Sequence, residues 1–126
     1  MEDRKKLKQE FKLRIYKYII RLLKFLSKLP NDTVTVELKK QSTRSGTSMG
    51  ANYFEAEAAS SKKDYQNYFH ISLKSGNETK FWLALLRDSG ICTKNLLTEI
   101  EYLLNETIEL TNILAKSLIT MKNNKN

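Results

Sequence analysis

The chain has 126 residues, 40% hydrophobic and 29% charged, which is enough for one domain with a real core and no covalent staples. Its 4 Gly and 1 Pro supply too few turns for an all-β fold, and a lone cysteine, Cys92, excludes an internal disulfide and a thiolate-built metal site. The formal net charge of +8 points to anionic partners. No apolar run approaches the roughly 20 residues of a membrane span, so neither secretion nor a membrane is expected, and a reducing cytoplasm is the natural setting.

Apolar periodicity predicts a first helix from about Arg4 to Leu29, broken by Pro30-Asn31-Asp32. At about 100° per residue its side chains fall into three sectors. Leu7, Phe11, Ile15, Tyr18, Ile19, Leu22, Phe25, Leu26 and Leu29 form one wide apolar stripe, the expected core face. Leu13, Tyr16, Ile20 and Leu23 lie nearly opposite. A monomeric bundle would expose these four, which predicts self-association through this helix. The third sector carries Lys6, Arg14, Lys17, Arg21, Lys24 and Lys28. Residues 1–30 hold 10 Lys and Arg against 3 acids, so nearly all of the net positive charge rides on this helix.

Thr33 is a candidate cap for a second helix from about Val34 to Ala59. Between Ser42 and Ser61 the side chains are mostly Ser, Gly, Thr and Ala, and Gly46 and Gly50 read as positions where a neighbouring helix packs closely. Ser61-Lys62-Lys63-Asp64 fits a capping box that starts a third helix at Lys62. That helix runs to about Asp88, where Ser89-Gly90 supplies the stop. A fourth helix follows from about Thr93 to Met121, with the tail Lys122 to Asn126 frayed. Four long helices joined by short turns predict an all-α fold, an antiparallel up-and-down four-helix bundle filling residues 1–126 as one domain. On the third helix, Tyr65, Tyr68, Phe69, Phe81 and Trp82 could form a base-stacking platform, but Tyr65, Phe69 and Leu73 recur at helical spacing, as do Trp82 and Leu86, and read as core or subunit contact.

The segment RSGTSMGAN (44–52), the Glu55-Ala56 pair, SSKKD (60–64) and NETKFWLALLRDSG (77–90) resemble the four-helix bundle proteins encoded within intervening sequences of bacterial 23S rRNA genes, a family once labelled ribosomal. The basic first helix ending in a Leu-Pro step and the Leu-rich last helix extend the likeness over nearly the whole chain. The resemblance implies the same bundle and a ring-shaped homopentamer, a closed arrangement in which head-to-tail contacts do not grow into a filament. It also reaches distantly to the accessory proteins of diversity-generating retroelements, basic pentameric bundles that work with a reverse transcriptase.

The functional reading of the basic sector is phosphate contact with RNA or DNA; the plainer one is a solvated face that keeps the chain soluble. No zinc-finger spacing, recognition-helix motif or aromatic RNA-binding consensus promises sequence specificity. A protein-interaction scaffold docking an acidic partner is the alternative. No catalytic role is expected. His70 is the only histidine, no Glu-x-x-His pair supports a di-metal site on Glu55, Glu57 or Glu78, and no phosphate loop follows Gly46 or Gly50, so neither metal nor cofactor is expected. Arg44, Asn52, Glu55 and Glu78 instead suggest a charge-paired hydrogen-bond network between the second and third helices.

Overall fold

Helix boundaries follow the local chemistry of a few residues. In the computed structural model, which describes residues 2–124, the chain forms α1 (Glu2–Ser27), α2 (Thr33–Glu57), α3 (Lys62–Asp88) and α4 (Lys94–Asn123). The first helix stops two residues before Leu29. Lys28 and Leu29 donate instead to the carbonyls of Phe25 and Leu26 at 3.0 and 3.2 Å, a tightened last turn in keeping with the restriction Pro30 places on its predecessor. Asp32, not Thr33, caps α2: its carboxylate accepts from the Thr35 amide at 3.0 Å and from the Thr35 hydroxyl at 2.7 Å. A carboxylate answers the positive end of the helix dipole better than a hydroxyl.

The second helix ends at Glu57, short of Ala59. Ser61 caps α3 by accepting from the Asp64 amide at 3.1 Å, but the Asp64 carboxylate takes the Ser60 hydroxyl rather than closing the reciprocal capping box. Gly90, at φ +82°, makes the left-handed turn that follows α3. Thr93 precedes α4 without a side-chain capping bond, and the helix continues through Lys122 and Asn123. Lys125 and Asn126 lie outside the described residues.

Backbone contacts link α1 to α2, α2 to α3, α3 to α4 and α4 back to α1, with α1 diagonal to α3 and α2 to α4. The partners run in opposite senses. Ser45 meets Thr79 while Ser48 meets Ser75, and Arg14 meets Glu106 while Arg21 meets Glu99. The fold is therefore an all-α antiparallel four-helix bundle.

The tightest approach is between α2 and α3. Ser42, Ser45 and Gly46 on one helix and Ser72, Ser75, Gly76 and Thr79 on the other are all buried, and their hydroxyls are satisfied locally or across the seam. Thr79 donates to Ser45 at 2.8 Å, Ser72 to the Met49 carbonyl at 2.7 Å, and Ser48 pairs with Ser75 at 2.8 Å. Around this seam the large apolar residues fill the interior, with Ile15, Leu22 and Phe25 from α1, Leu83 and Leu86 from α3, and Leu103, Leu110 and Leu114 from α4.

Most of the expected α1 stripe is core, but Leu7 is 64% exposed and Phe11 and Ile19 are only half-buried. Leu7 instead borders an opening at this end of the bundle, together with residues of α3 and α4. Of the aromatic residues on α3, Phe69 is buried, Tyr65, Tyr68 and Trp82 are half-buried, and Phe81 is exposed.

Gly76 leaves no room for a side chain against either of two neighbours. A Cβ built there would lie 2.5 Å from the Thr111 methyl and 2.8 Å from the Met49 sulfur, both on buried side chains. Gly76→Val is expected to lower stability by about 1–3 kcal/mol through overpacking, read as a fall in the urea midpoint with an unchanged slope.

Candidate nucleic-acid interface

The six cations of the α1 basic sector divide into two groups. Arg14 forms a two-bond fork to Glu106, with both contacts at 2.7 Å, and reaches Glu109 at 2.8 Å. Arg21 forks onto Glu99 at 2.6 and 3.0 Å and lies over the Tyr102 ring, 3.5 Å from its centroid. Planar guanidinium groups match carboxylates in this way, and the side-chain bonds raise both arginines above their ordinary value. A second link runs beside them, where the buried Tyr18 hydroxyl pairs with Thr107 at 2.5 Å. Arg14 and Arg21 are seven residues apart, as are Glu99 and Glu106, so two turns of α1 register against two turns of α4.

Lys6, Lys17, Lys24 and Lys28 make up the other group. All four are exposed, and among the described residues none has a carboxylate within ion-pair distance. Lys28 still exerts a coulombic pull on Glu99. The stripe that reads as basic in sequence is thus part lock, part free surface. The lock escapes a sequence reading because its acids stand nearly eighty residues or more away; the seven-residue spacing is its only trace.

Beside the free lysines lies the second apolar sector. Leu13 is 51% and Tyr16 55% exposed, while Ile20 and Leu23 are partly covered, at 39% and 37% exposure. On the diagonal helix α3, Ile71, Phe81 and Leu85 form another exposed apolar group.

The four residues expected to form a polar network are not brought together as one. Arg44 pairs with Glu78, which also accepts from the Trp82 indole at 2.9 Å, and Arg44 holds Gln41 at 3.0 Å. This group faces solvent, with Arg44 exposed. Bonds from Trp82 first and Arg44 second keep Glu78 below its ordinary value. Asn52 instead donates to the Ser48 carbonyl and hydroxyl at 2.9 and 3.1 Å, joining the hydroxyl seam through Ser48. Glu55 is exposed and has no ion-pair partner among the described residues. The seam itself, built from Ser and Thr rather than charge, is what sequence reasoning missed; its signal was the run of buried-spaced hydroxyls at Ser42, Ser45, Ser72, Ser75 and Thr79.

His70 is exposed, and Cys92 is half-buried with its thiol pushed up by burial. Among the described residues no group of three or more His, Cys, Asp or Glu is placed to hold a metal ion, and no helix is long and apolar enough to cross a membrane.

The profile of the 23S rRNA-intervening sequence protein family matches residues 8–115, and the chain belongs to that family. Among solved structures it is similar to a protein of unknown function from the S23 ribosomal protein family of Bacteroides thetaiotaomicron VPI-5482, determined at 1.70 Å resolution. The two share 32% identity and a TM-score of 0.78 over 88% of this chain and 96% of the other. Among curated proteins, none matches the chain.

The Arg21 bond, ahead of the coulombic pull of Arg21, keeps Glu99 below its ordinary value of 4.5. A carboxylate depressed in the folded state contributes its full stability above the unfolded pKa and loses it as pH falls through the folded one. The difference in Tm between the native chain and Glu99→Gln is therefore expected to hold steady from about pH 7 to 5 and to shrink below about 4.5. Thermal melts across that range check it; a difference that widened on acidification would contradict the pairing.

Proposed function

We propose that this protein is a non-catalytic, self-associating bundle that binds nucleic acid, RNA in the first place, through the outer face of α1. The observation that carries this reading is the set of four exposed lysines, Lys6, Lys17, Lys24 and Lys28, with no ion-pair partner among the described residues while the neighbouring arginines are engaged by α4. A lysine ammonium is a compact point charge suited to phosphate, whereas bidentate reading of guanine is the work of arginine. With Arg14 and Arg21 forked onto glutamates, the face is built for the phosphate backbone and not for base sequence. Membership of a family named for rRNA intervening sequences favours RNA over DNA.

Self-association rests on the apolar strip Leu13, Tyr16, Ile20 and Leu23 and on the exposed Ile71, Phe81 and Leu85 of the diagonal helix. Two different apolar faces on opposite sides of one bundle suit a head-to-tail contact, and such contacts stay finite by closing a ring. A homopentamer is the size the family resemblance suggests. Repetition around a ring would multiply the lysine field and favour polyanions over small anions.

Fluorescence anisotropy of nuclease-treated protein with labelled structured RNA and duplex DNA tests the binding. The expected result is affinity that falls with salt at a log–log slope of roughly −3 or steeper, as contact with several phosphates requires. Lys17→Glu with Lys24→Glu should abolish binding while oligomer size and Tm hold. Unchanged binding by that variant would refute the assigned face. No binding by the native protein at low salt would turn the search to an acidic protein partner.

Light scattering tests the assembly. Ile20→Asp, at a position already partly open in the single chain, is expected to yield monomers with undiminished helicity; an unchanged mass would exclude this strip from the interface.

A further inference from the structure

The end of the bundle formed by the start of α1, the α2–α3 turn and the end of α4 opens into a cavity of about 690 Å³. That volume lies within the roughly 300–1,000 Å³ typical of small-molecule sites. One wall is aromatic. Phe11 packs on Tyr53, Tyr53 on Phe69 and Phe69 on Tyr65, with ring centroids 5.1, 5.4 and 4.9 Å apart. Ile113 and Met121 of α4 add aliphatic lining, and the exposed Leu7 also lines the cavity.

The lining includes four cations, Arg4, Lys8, Lys62 and Lys116, and no carboxylate. Among the described residues none of these cations takes part in an ion pair. The Lys8 ammonium lies 5.9 Å from the centroid of the Tyr65 ring, which places it against the aromatic wall. Nearby Glu57 is engaged by Lys12 at 3.0 Å.

Two polar atoms are also available. No hydrogen bond to the Tyr53 or Tyr65 hydroxyl occurs among the described residues, yet no buried side-chain polar atom there lacks a partner. Burial pushes Tyr53 up to about 12, so at neutral pH it is a proton donor.

An apolar chamber bordered by unpaired cations and phenolic donors fits a ligand with a hydrocarbon body and an anionic head. Inorganic phosphate would leave the aromatic wall unfilled, and a neutral hydrocarbon would leave the cations unanswered. The rings of the wall pack edge-on or tilted on one another, so they present no facing pair to clamp a planar base. We propose that this cavity binds a long-chain carboxylate, its chain against Phe11, Tyr53 and Phe69 and its head among Lys8, Lys62 and Lys116. The site is separate from the lysines on the outer face of α1, and its occupancy does not rest on the nucleic-acid reading.

Calorimetric titration of the intact protein with laurate at low ionic strength tests the proposal. Saturable binding at one site per chain is expected. Lys8→Glu with Lys116→Glu, both on exposed side chains, should weaken it about tenfold or more, since charge-assisted contacts to the head are replaced by repulsion. Ser117→Trp, which fills the chamber and leaves the cations in place, should do the same. Lys17→Glu with Lys24→Glu should leave laurate affinity unchanged, separating this site from the polyanion face. The proposal is overturned by absence of saturable binding, by full affinity in a correctly folded cation-reversal or cavity-filling variant, or by loss of binding only in the Lys17 and Lys24 variant.

Discussion

The close seam between α2 and α3 is the constraint on which the rest of the bundle depends. Glycine and hydroxyl side chains let the two backbones approach, and a buried hydroxyl is tolerable only when hydrogen-bonded. Each demand shapes the other. Thr79 satisfies itself against both the Ser75 carbonyl and the Ser45 hydroxyl, and Ser72 reaches across to a carbonyl of the opposite helix. With so little side-chain volume along this seam, much of the apolar core must come from α1 and α4, which is where the largest aliphatic clusters sit.

This division of labour leaves α1 attached by different means on its two sides. Toward α2 it presses Leu22 and Ile19 into the spaces above Gly46 and Gly50. Toward α4 the contact is partly polar, a ladder of Arg14 and Arg21 on glutamates with Tyr18 on Thr107 behind it. Exposed ion pairs contribute little individually, but a planar fork repeated two turns apart specifies register as well as adding attraction. The same ladder sorts the cations of α1 by chemistry. Within the basic sector the two arginines are engaged by α4, and Lys6, Lys17, Lys24 and Lys28 are left exposed.

The two ends and faces of the bundle consequently differ. The outer side of α1 combines exposed apolar residues with exposed lysines. The end near Leu7 is open, and the aromatic residues there pack on one another without filling the space. Burial and charge are thus distributed unevenly, with the tight seam in the middle and open features at the periphery.

Sequence by itself determined the number and type of helices, their order, and the approximate place of each turn. Those depend on local chemistry: a 3.6-residue apolar period, the restriction imposed by Pro30, the cap at Ser61 and the left-handed turn at Gly90. It also showed which side of α1 is basic and which four apolar residues lie outside its main stripe. Tertiary structure alone decided whose charge is answered, because Arg14 and Arg21 meet acids far along the chain and no local rule selects them over Lys17 or Lys24. It likewise decided that Arg44 and Glu78 face solvent while Asn52 joins the seam and Glu55 stands apart, that Asp32 rather than Thr33 caps α2, and that Leu7 borders a cavity instead of filling a core. Periodicity assigns a residue to a face; how far the facing helices extend, and what they carry at that height, settles whether the face is covered.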